Sequence, residues 1–266
     1  MSATTLFYIL IAILVINFIV DKILDTLNTK HFDDEIPSEL KDVYEKEEYE
    51  KSQAYKKTNA KFSNITGLFS LVLTLAFFFF DGFQFVDQLA RTYSSNTIVI
   101  ALIFFGIIML GSDIITTPFS YYKIFVIEEK FGFNKMTKKL FIIDKMKGLL
   151  MTIIVGGGIL ALIVWFYQFA ENNFWMYAWA LVAIFSLLMN LFYAQLIVPL
   201  FNKQTPLEDG ELKTAIEKYT TKVGFTLKNV FVIDGSKRST KANAYFSGFG
   251  SQKRITLYDT LKNDLE

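Results

Sequence analysis

The sequence predicts a membrane protein in which five transmembrane α-helices are followed by a small α+β segment in water. Of the 266 residues, 52% are hydrophobic and 17% are aromatic, which is more than soluble domains of ordinary composition contain. The apolar residues are concentrated in five blocks, and each block approaches the roughly 20 apolar residues that a membrane helix needs. Residues 202–266 instead alternate short apolar runs with glycines and charged residues, a pattern typical of a water-exposed domain.

The five blocks give the positions of the spans. A single such block is also compatible with a buried helix of a soluble core, but five of them within about 200 residues favour a bilayer. The first block is preceded by no Lys or Arg and followed by no convincing small-residue cleavage site, so we expect a retained helix and not a signal peptide. We place the spans at residues 3–20, 64–83, 97–117, 149–169 and 174–201.

Lys and Arg residues alternate between the two sides of the predicted spans. Loop 21–63 has eight of them, loop 118–148 has seven and the tail 202–266 has eleven, whereas loop 84–96 has one and loop 170–173 has none. The positive-inside rule therefore predicts an N-terminus outside, with both long loops and the tail in the cytoplasm. We expect a membrane domain over residues 1–201, a cytoplasmic segment over residues 202–266, and a location in a bacterial inner membrane, or in the endoplasmic reticulum of a eukaryote.

Some classes of chemistry are excluded by what the chain lacks. It has no Cys, so disulfides, thiolate metal ligands and Cys nucleophiles are absent. Its formal net charge of +1 predicts no nucleic-acid partner. The single His, His31, lies beside Asp33, Asp34 and Glu35. A metal site needs several converging ligands, so we expect His31 to be solvated and to bind no metal.

The third span and the loop after it carry two further signals. Asp113 is a carboxylate inside the span; it faces either a hydrated interior or the membrane interface, and the residues alone leave both alternatives open. After the span, residues 131–134 (Phe-Gly-Phe-Asn) predict a turn, and Thr137 is expected to cap a helix that begins at Lys138 and continues towards the fourth span.

The tail predicts an α+β segment. Residues 209–223 have the spacing of an amphipathic helix, and Gly224 stands where a C-terminal cap belongs. Three strands are predicted at residues 230–233, 242–249 and 253–258, and Asp259 is expected to cap a final helix.

Several blocks of this sequence, in this order, resemble type I CaaX prenyl proteases. Together they cover most of the chain from Pro118 onward, whereas the first 100 or so residues resemble the family only in hydropathy. The blocks are residues 127–134 (Ile-Glu-Glu-Lys-Phe-Gly-Phe-Asn), 199–203 (Pro-Leu-Phe-Asn-Lys), 206–207 (Pro-Leu), 210–212 (Gly-Glu-Leu), 234–239 (Asp-Gly-Ser-Lys-Arg-Ser), 243–246 (Asn-Ala-Tyr-Phe), 253–255 (Lys-Arg-Ile) and 259–261 (Asp-Thr-Leu).

The resemblance implies an integral-membrane zinc endopeptidase that cleaves prenylated or membrane-associated peptides, with residues 202–266 forming an incomplete zincin-like domain. Family members hold zinc with two His of an HExxH motif and a distant Glu, and a chain with one His has no such motif. We therefore expect no catalytic residue and no zinc ligand in this chain, a truncation before the zinc helix, and inactivity without a missing C-terminal peptidase half. The alternative is a membrane module that binds peptides without catalysis.

The resemblance also implies a substrate-binding strand. Its residues are Asn243, Ala244 and Tyr245, and the partner expected there is an extended peptide at the surface of the lipid bilayer. The alternative is an ordinary hairpin strand. Because side chains alternate along a strand, we expect Phe246 to face packed protein and Asn243 to lie on the accessible face. Lys237 and Arg238 are interpreted as a basic loop.

Overall fold

The computed structural model describes residues 2–33, 35–38, 41–43 and 45–265. These residues form two compact units. The first consists of Met1–Thr92 with Gly111–Phe131, and the second of Tyr93–Leu110 with Gly132–Glu266. The candidate site lies in the second unit.

Five helices in the described part of the chain are long and apolar enough to cross a membrane, at Ala3–Phe32, Lys46–Phe79, Thr97–Glu128, Lys138–Ala170 and Phe174–Leu196. The predicted number of spans is thus confirmed. Most of the helices are longer than predicted, because helix geometry continues into the charged loops. The regular α-helical parts are α1 (Ala3–Thr29), α2 (Lys46–Phe79), α3 (Gly82–Tyr93), α4 (Thr97–Tyr122), α5 (Lys138–Met151), α6 (Gly157–Ala170), α7 (Phe174–Leu196) and α8 (Val198–Phe201).

Two boundaries differ from the prediction. The second span ends at Phe79, where Asp81 adopts a φ of 55°; that left-handed conformation does not continue a helix. Helix α3 then occupies what was predicted to be a loop. The fifth span was predicted to run unbroken to residue 201, but α7 ends at Leu196 and α8 follows. Pro199 lacks an N–H and restricts the residue before it, so the helix breaks there.

In the first unit, aromatic rings join the helices. Phe7 of α1 contacts Phe78 and Phe79 of α2, and Phe62 of α2 stacks on Tyr122 of α4 with ring centroids 5.5 Å apart. Edge-to-face and offset contacts of this kind stabilise packed helices beyond the area that they bury.

In the second unit, α5 begins as predicted. The Thr137 side chain accepts a hydrogen bond from the Leu140 N–H at 3.2 Å, the geometry of a helix N-cap. A π-helical turn at Thr152–Gly156 joins α5 to α6 without a break, and α6 packs against α7.

The tail forms a four-stranded sheet of order β1-β2-β4-β3. Its strands are β1 (Gln204–Pro206), β2 (Asn229–Ile233), β3 (Ala244–Ser247) and β4 (Arg254–Tyr258), and helices α9 (Glu211–Lys222) and α10 (Asp259–Leu265) complete it. Strands β2 and β4 are parallel, and the other two pairs are antiparallel. Strand β1 was not predicted, and β3 is shorter than the predicted 242–249.

The two faces of the sheet have different cores. On one face, Leu207, Val230 and Leu257 are buried against Leu212 and Ile216 of α9. On the other face, a cluster of Ala194, Val198 and Ile233 includes Tyr245 and Tyr258. The second face therefore rests on the end of the fifth span, and this contact positions β3.

Candidate functional site

Strand β3 is an edge of the sheet. Among the described residues it pairs with β4 alone, through Ala244↔Leu257, Tyr245↔Thr256, Phe246↔Ile255 and Ser247↔Arg254. The Tyr258 N–H donates to the Asn243 carbonyl at 2.9 Å. Because hydrogen-bonded pairs alternate in an antiparallel ladder, residues 243, 245 and 247 bond to β4, whereas the backbone groups of Ala244 and Phe246 point to the open edge.

Asn243 lies just before this edge and is exposed. Its Oδ1 accepts the Ala244 N–H at 2.8 Å, so one outward donor is already satisfied within the chain. The carboxamide keeps its Nδ2 donors and a second lone pair on Oδ1. The open edge thus offers the Ala244 carbonyl, both backbone groups of Phe246 and the Asn243 amide.

The predicted facing of the strand was wrong for Phe246, whereas Asn243 is exposed as expected. Phe246 is 77% exposed and touches Phe225, with ring centroids 6.4 Å apart, whereas Tyr245 packs into the cluster beneath the sheet. The alternation of side chains along a strand divides its residues between two faces, but it does not determine which face is covered by other parts of the protein. Here the end of the fifth span covers the Tyr245 side. That burial raises the pKa of the Tyr245 phenol above its ordinary value, and a side-chain hydrogen bond with Thr256 opposes the rise.

The segment that leads into β3 is held by an anchoring cluster of five residues: Asp144, Asn202, Asp234, Lys237 and Arg238. Arg238 donates to both carboxylate oxygens of Asp144, at 2.7 and 3.0 Å, and to Asn202 Oδ1 at 2.5 Å. Lys237 donates to Asp234 at 2.9 Å. The side chain of Arg238 is only 21% exposed and that of Asp144 only 18% exposed. The interpretation of Lys237 and Arg238 as a plain basic loop was therefore wrong.

Lys237 and Arg238, together with Lys147, cap the C-terminal end of α8. The Phe201 carbonyl accepts from Lys237 Nζ and from Arg238 Nη2, both at 2.8 Å, and the Leu200 carbonyl accepts from Lys147 Nζ at 2.7 Å. The last carbonyls of a helix have no partner within it and carry partial negative charge. The cluster therefore ties the end of the fifth span to the loop before β3.

A second chain segment holds this loop from the other side. The Lys135 N–H donates to the Arg238 carbonyl at 3.0 Å, and the Thr240 N–H donates to the Phe133 carbonyl at 3.1 Å. Lys241 Nζ lies 4.6 Å from the centroid of the Phe133 ring, within cation–π range. Two of the sequence blocks that carry the family resemblance are thus paired in space, one on each side of the entry to β3.

The residues present do not fit a catalytic zinc site. The sequence has one His and no Cys, and the described residues contain no group of three or more His, Cys, Asp or Glu that could hold a metal ion. His31 lies in a short 3-10 turn, Lys30–Asp33, and its predicted neighbour Asp34 lies outside the described residues. We therefore assign no zinc-dependent step to the residues of this chain.

Comparisons with known proteins agree with the architecture. A family model described as the CAAX prenyl protease N-terminal domain, with five membrane helices, matches residues 25–203, and a model of peptidase family M48 matches residues 206–266. CAAX prenyl protease 1 of Saccharomyces cerevisiae is 39% identical over 239 residues, which are 86% of this chain and 53% of that protein. The homolog from Arabidopsis thaliana is 39% identical over 233 residues, 85% of this chain and 55% of that protein.

The fold has a close counterpart among solved structures. The crystal structure of S. mikatae Ste24p superposes with a TM-score of 0.90 at 39% sequence identity, over 97% of this chain and 62% of that one. This chain spans about half the length of the curated relatives it matches. Taken together, the five membrane helices, the small mixed sheet and these matches place the chain in the CAAX prenyl protease family of membrane metallopeptidases.

Proposed function

We propose that this chain supplies the membrane helices and the substrate-binding strand of a zinc endopeptidase that cleaves prenylated or membrane-associated peptides. The observation that carries the proposal is the open edge of β3. An extended peptide that pairs with such an edge gains main-chain hydrogen bonds whatever its side chains are. This mode suits an endopeptidase that must hold a substrate backbone straight.

Each residue at the edge has a defined part in this binding. The Phe246 N–H and carbonyl form one closely spaced pair of hydrogen bonds with the peptide, and the Ala244 carbonyl accepts one more. The small Ala244 side chain leaves the edge accessible. Asn243 Nδ2 is free to donate to a peptide carbonyl while Oδ1 remains bound to the Ala244 N–H. Tyr245 contributes through packing, because its ring lies beneath the sheet.

The substrate class follows from the membrane setting and from the relatives. The proteins that match are named CAAX prenyl proteases or their homologs, and an isoprenoid group partitions into a bilayer by burying its methylenes. A site tied to the end of a membrane span is well placed for a peptide anchored in this way. The relatives are eukaryotic, which favours the endoplasmic reticulum over a bacterial inner membrane for this chain.

Binding can be measured directly. We expect the purified chain in detergent micelles to bind a fluorescent, farnesylated CaaX peptide saturably, and a non-prenylated peptide of the same sequence more weakly. Asn243→Ala removes one neutral hydrogen bond to the peptide and weakens binding about three- to tenfold. Binding that is absent for both peptides, or that is equally tight for the farnesylated and the non-prenylated peptide, would defeat the proposal.

A second function is peptide binding without catalysis, through the same open edge of β3. The two functions differ in the fate of the bound peptide. Both functions leave the peptide intact when this chain is incubated alone. Sequencing the reading frame past codon 266 separates them: an HExxH motif there supports a peptidase, and a frame without one supports the binding module.

A further inference from the structure

One face of the tail sheet has an excess of hydrogen-bond donors. Gln204 Nε2 and Ser247 Oγ are buried without a hydrogen-bond partner among the described residues, and the buried Thr256 Oγ1 has the Tyr245 hydroxyl beside it. The strand pairings place all three residues on the same face as Tyr245, since side chains two apart along a strand share a face. Buried polar atoms normally have partners, so Gln204 Nε2 and Ser247 Oγ can each accommodate a further hydrogen-bonding group.

Arg254 is a neighbour of Ser247 and Thr256 in the sheet, whereas Gln204 lies two strands away in register with Ile233 and Tyr258. It is only 8% exposed, yet within the described part of the chain its guanidinium has neither an ion pair nor a hydrogen bond. The guanidinium instead lies over the ring of Phe231, whose centroid is 5.1 Å from Cζ. A cation–π contact compensates only part of the cost of burying a cation. A buried Arg normally pairs with an anion.

The geometry places Arg254 beside the Ser247 and Thr256 hydroxyls. Ser247 is directly opposite Arg254 in the β3–β4 ladder, and Thr256 is two residues further along β4. A guanidinium and an amide nitrogen can only donate, and both hydroxyls can donate as well. The guanidinium requires acceptors and carries a positive charge, and the hydroxyls can donate to the same acceptor, so the group that fits beside Arg254 is an anion.

We propose that Arg254, assisted by Ser247 and Thr256, binds a carboxylate of the peptide that docks along β3. The planar guanidinium matches a carboxylate in a bidentate manner. A single cation on this face suits one carboxylate charge better than a phosphate. The inference rests on the proposed function, because the peptide reaches the face from the open edge. A peptide docked on β3 lies two strand spacings, about 10 Å, from β4. About three extended residues of the peptide are enough to carry its carboxylate over that distance to Arg254.

The carboxylate has two possible sources within the peptide, its C-terminus and an acidic side chain. Binding to the chain in micelles is therefore compared for a farnesylated peptide with a free C-terminus and an internal Glu, for its C-terminal amide, and for its Glu→Gln form. We expect one of the two neutralised peptides, and not the other, to bind about ten- to hundredfold more weakly. The weaker peptide identifies the source.

The variants are Arg254→Gln and, as a matched control, Lys253→Gln. The control removes the same charge one residue away, where Lys253 Nζ lies over the Phe225 ring at 4.7 Å. Arg254→Gln should abolish the discrimination between peptides, and Lys253→Gln should keep it. Without peptide, Arg254→Gln should unfold at the same temperature as the wild type or at a higher one, because it removes an unpaired buried charge. If Arg254 had a merely structural role, Arg254→Gln would unfold at a lower temperature than the wild type.

Three results would overturn the inference. One is equal binding of all three peptides while binding still requires the β3 edge; the proposed function then survives alone. Another is discrimination that persists in Arg254→Gln. The third is an Arg254-dependent stabilisation by inorganic phosphate or by phosphatidylserine bicelles but not by the acidic peptide, which reassigns the face to a phosphate. If no peptide binds at all, the proposed function fails together with the inference.

Discussion

Arg238 and Asp144, separated by 94 residues in sequence, form a bidentate ion pair in which Nε and Nη2 of the arginine each donate to a different carboxylate oxygen. The pair joins α5, the cytoplasmic end of the fourth span by the predicted topology, to the loop that enters β3. Because Arg238 also donates to the Phe201 carbonyl, one side chain links a membrane helix, the end of the next span and the tail sheet. The position of the open edge therefore depends on this residue.

Removing one partner of this pair should destabilise the tail. Asp144→Asn leaves the Arg238 charge mostly buried with a neutral partner, and we expect a loss of about 2–4 kcal/mol in unfolding free energy, since breaking a buried pair costs more than the pair contributes. Denaturation in detergent, followed by tryptophan fluorescence, measures it. The control is Asp87→Asn, which breaks the exposed Arg91–Asp87 pair of α3 and should change nothing measurable. Equal effects of the two substitutions would contradict the role of the anchoring cluster.

The raised pKa of Tyr245 predicts a pH dependence. Burial favours the neutral phenol in the folded protein, so the unfolded chain loses this proton at a lower pH. The stability that depends on this difference is complete below the ordinary value of 10.0 and is lost as pH rises through the higher folded value. We expect Tyr245→Phe to lose less stability than the wild type from about pH 9 to pH 12. Parallel thermal curves for the two proteins across that range would refute the prediction.

The chain should not bind zinc with catalytic affinity. One His and no Cys cannot supply the usual three protein ligands, so we expect a Kd no lower than about micromolar and no peptide cleavage. Metal analysis after dialysis measures zinc content, and a chelator should leave the unfolding temperature unchanged. His31→Ala is the control and should match the wild type. Stoichiometric zinc that a chelator removes would disprove the prediction.

The Lys and Arg alternation predicts membrane topology. Because the tail has eleven of these residues and loop 84–96 has one, reporters fused after Arg91 and after Asn263 should lie on opposite sides of the membrane, the second in the cytoplasm. A protease-protection assay on sealed vesicles provides an independent readout. Reporters on the same side would exclude five spans in this arrangement.

Local patterns in the sequence were sufficient for the number of spans and for some of their ends. Thr137 marked the start of α5 correctly because an N-cap is a local signal. Helix α3 also had a local signal, which was overlooked. The apolar residues Val86 and Ala90 are four positions apart, which is the spacing of one helix face, and both are buried.

Other features depend on residues far apart in the chain. Strand β1 has three residues and contains a proline, and it exists because β2 pairs with it. The contact of Arg238 with Asp144 has no local signal, since a basic dipeptide in a loop is usually solvated. The facing of β3 was predicted wrongly for the same reason. Whether Tyr245 or Phe246 is covered depends on the end of the fifth span, and only the folded chain brings that end beneath the sheet.

The open edge of β3 is tested most directly by removing one backbone donor. The Phe246 N–H points away from β4, so Phe246→Pro eliminates an outward hydrogen bond and keeps the β3–β4 ladder, as prolines at sheet edges do. Phe246→Ala is the matched control, because it removes the same ring and retains the N–H.

The Kd of the farnesylated peptide is measured for both variants and for the wild type in the same micelles. We expect Phe246→Ala to bind within about threefold of the wild type and Phe246→Pro to bind about tenfold more weakly or worse than Phe246→Ala, with unfolding temperatures of the two variants alike. Equal affinity of the proline and alanine variants would contradict the assignment of β3 as the substrate-binding strand.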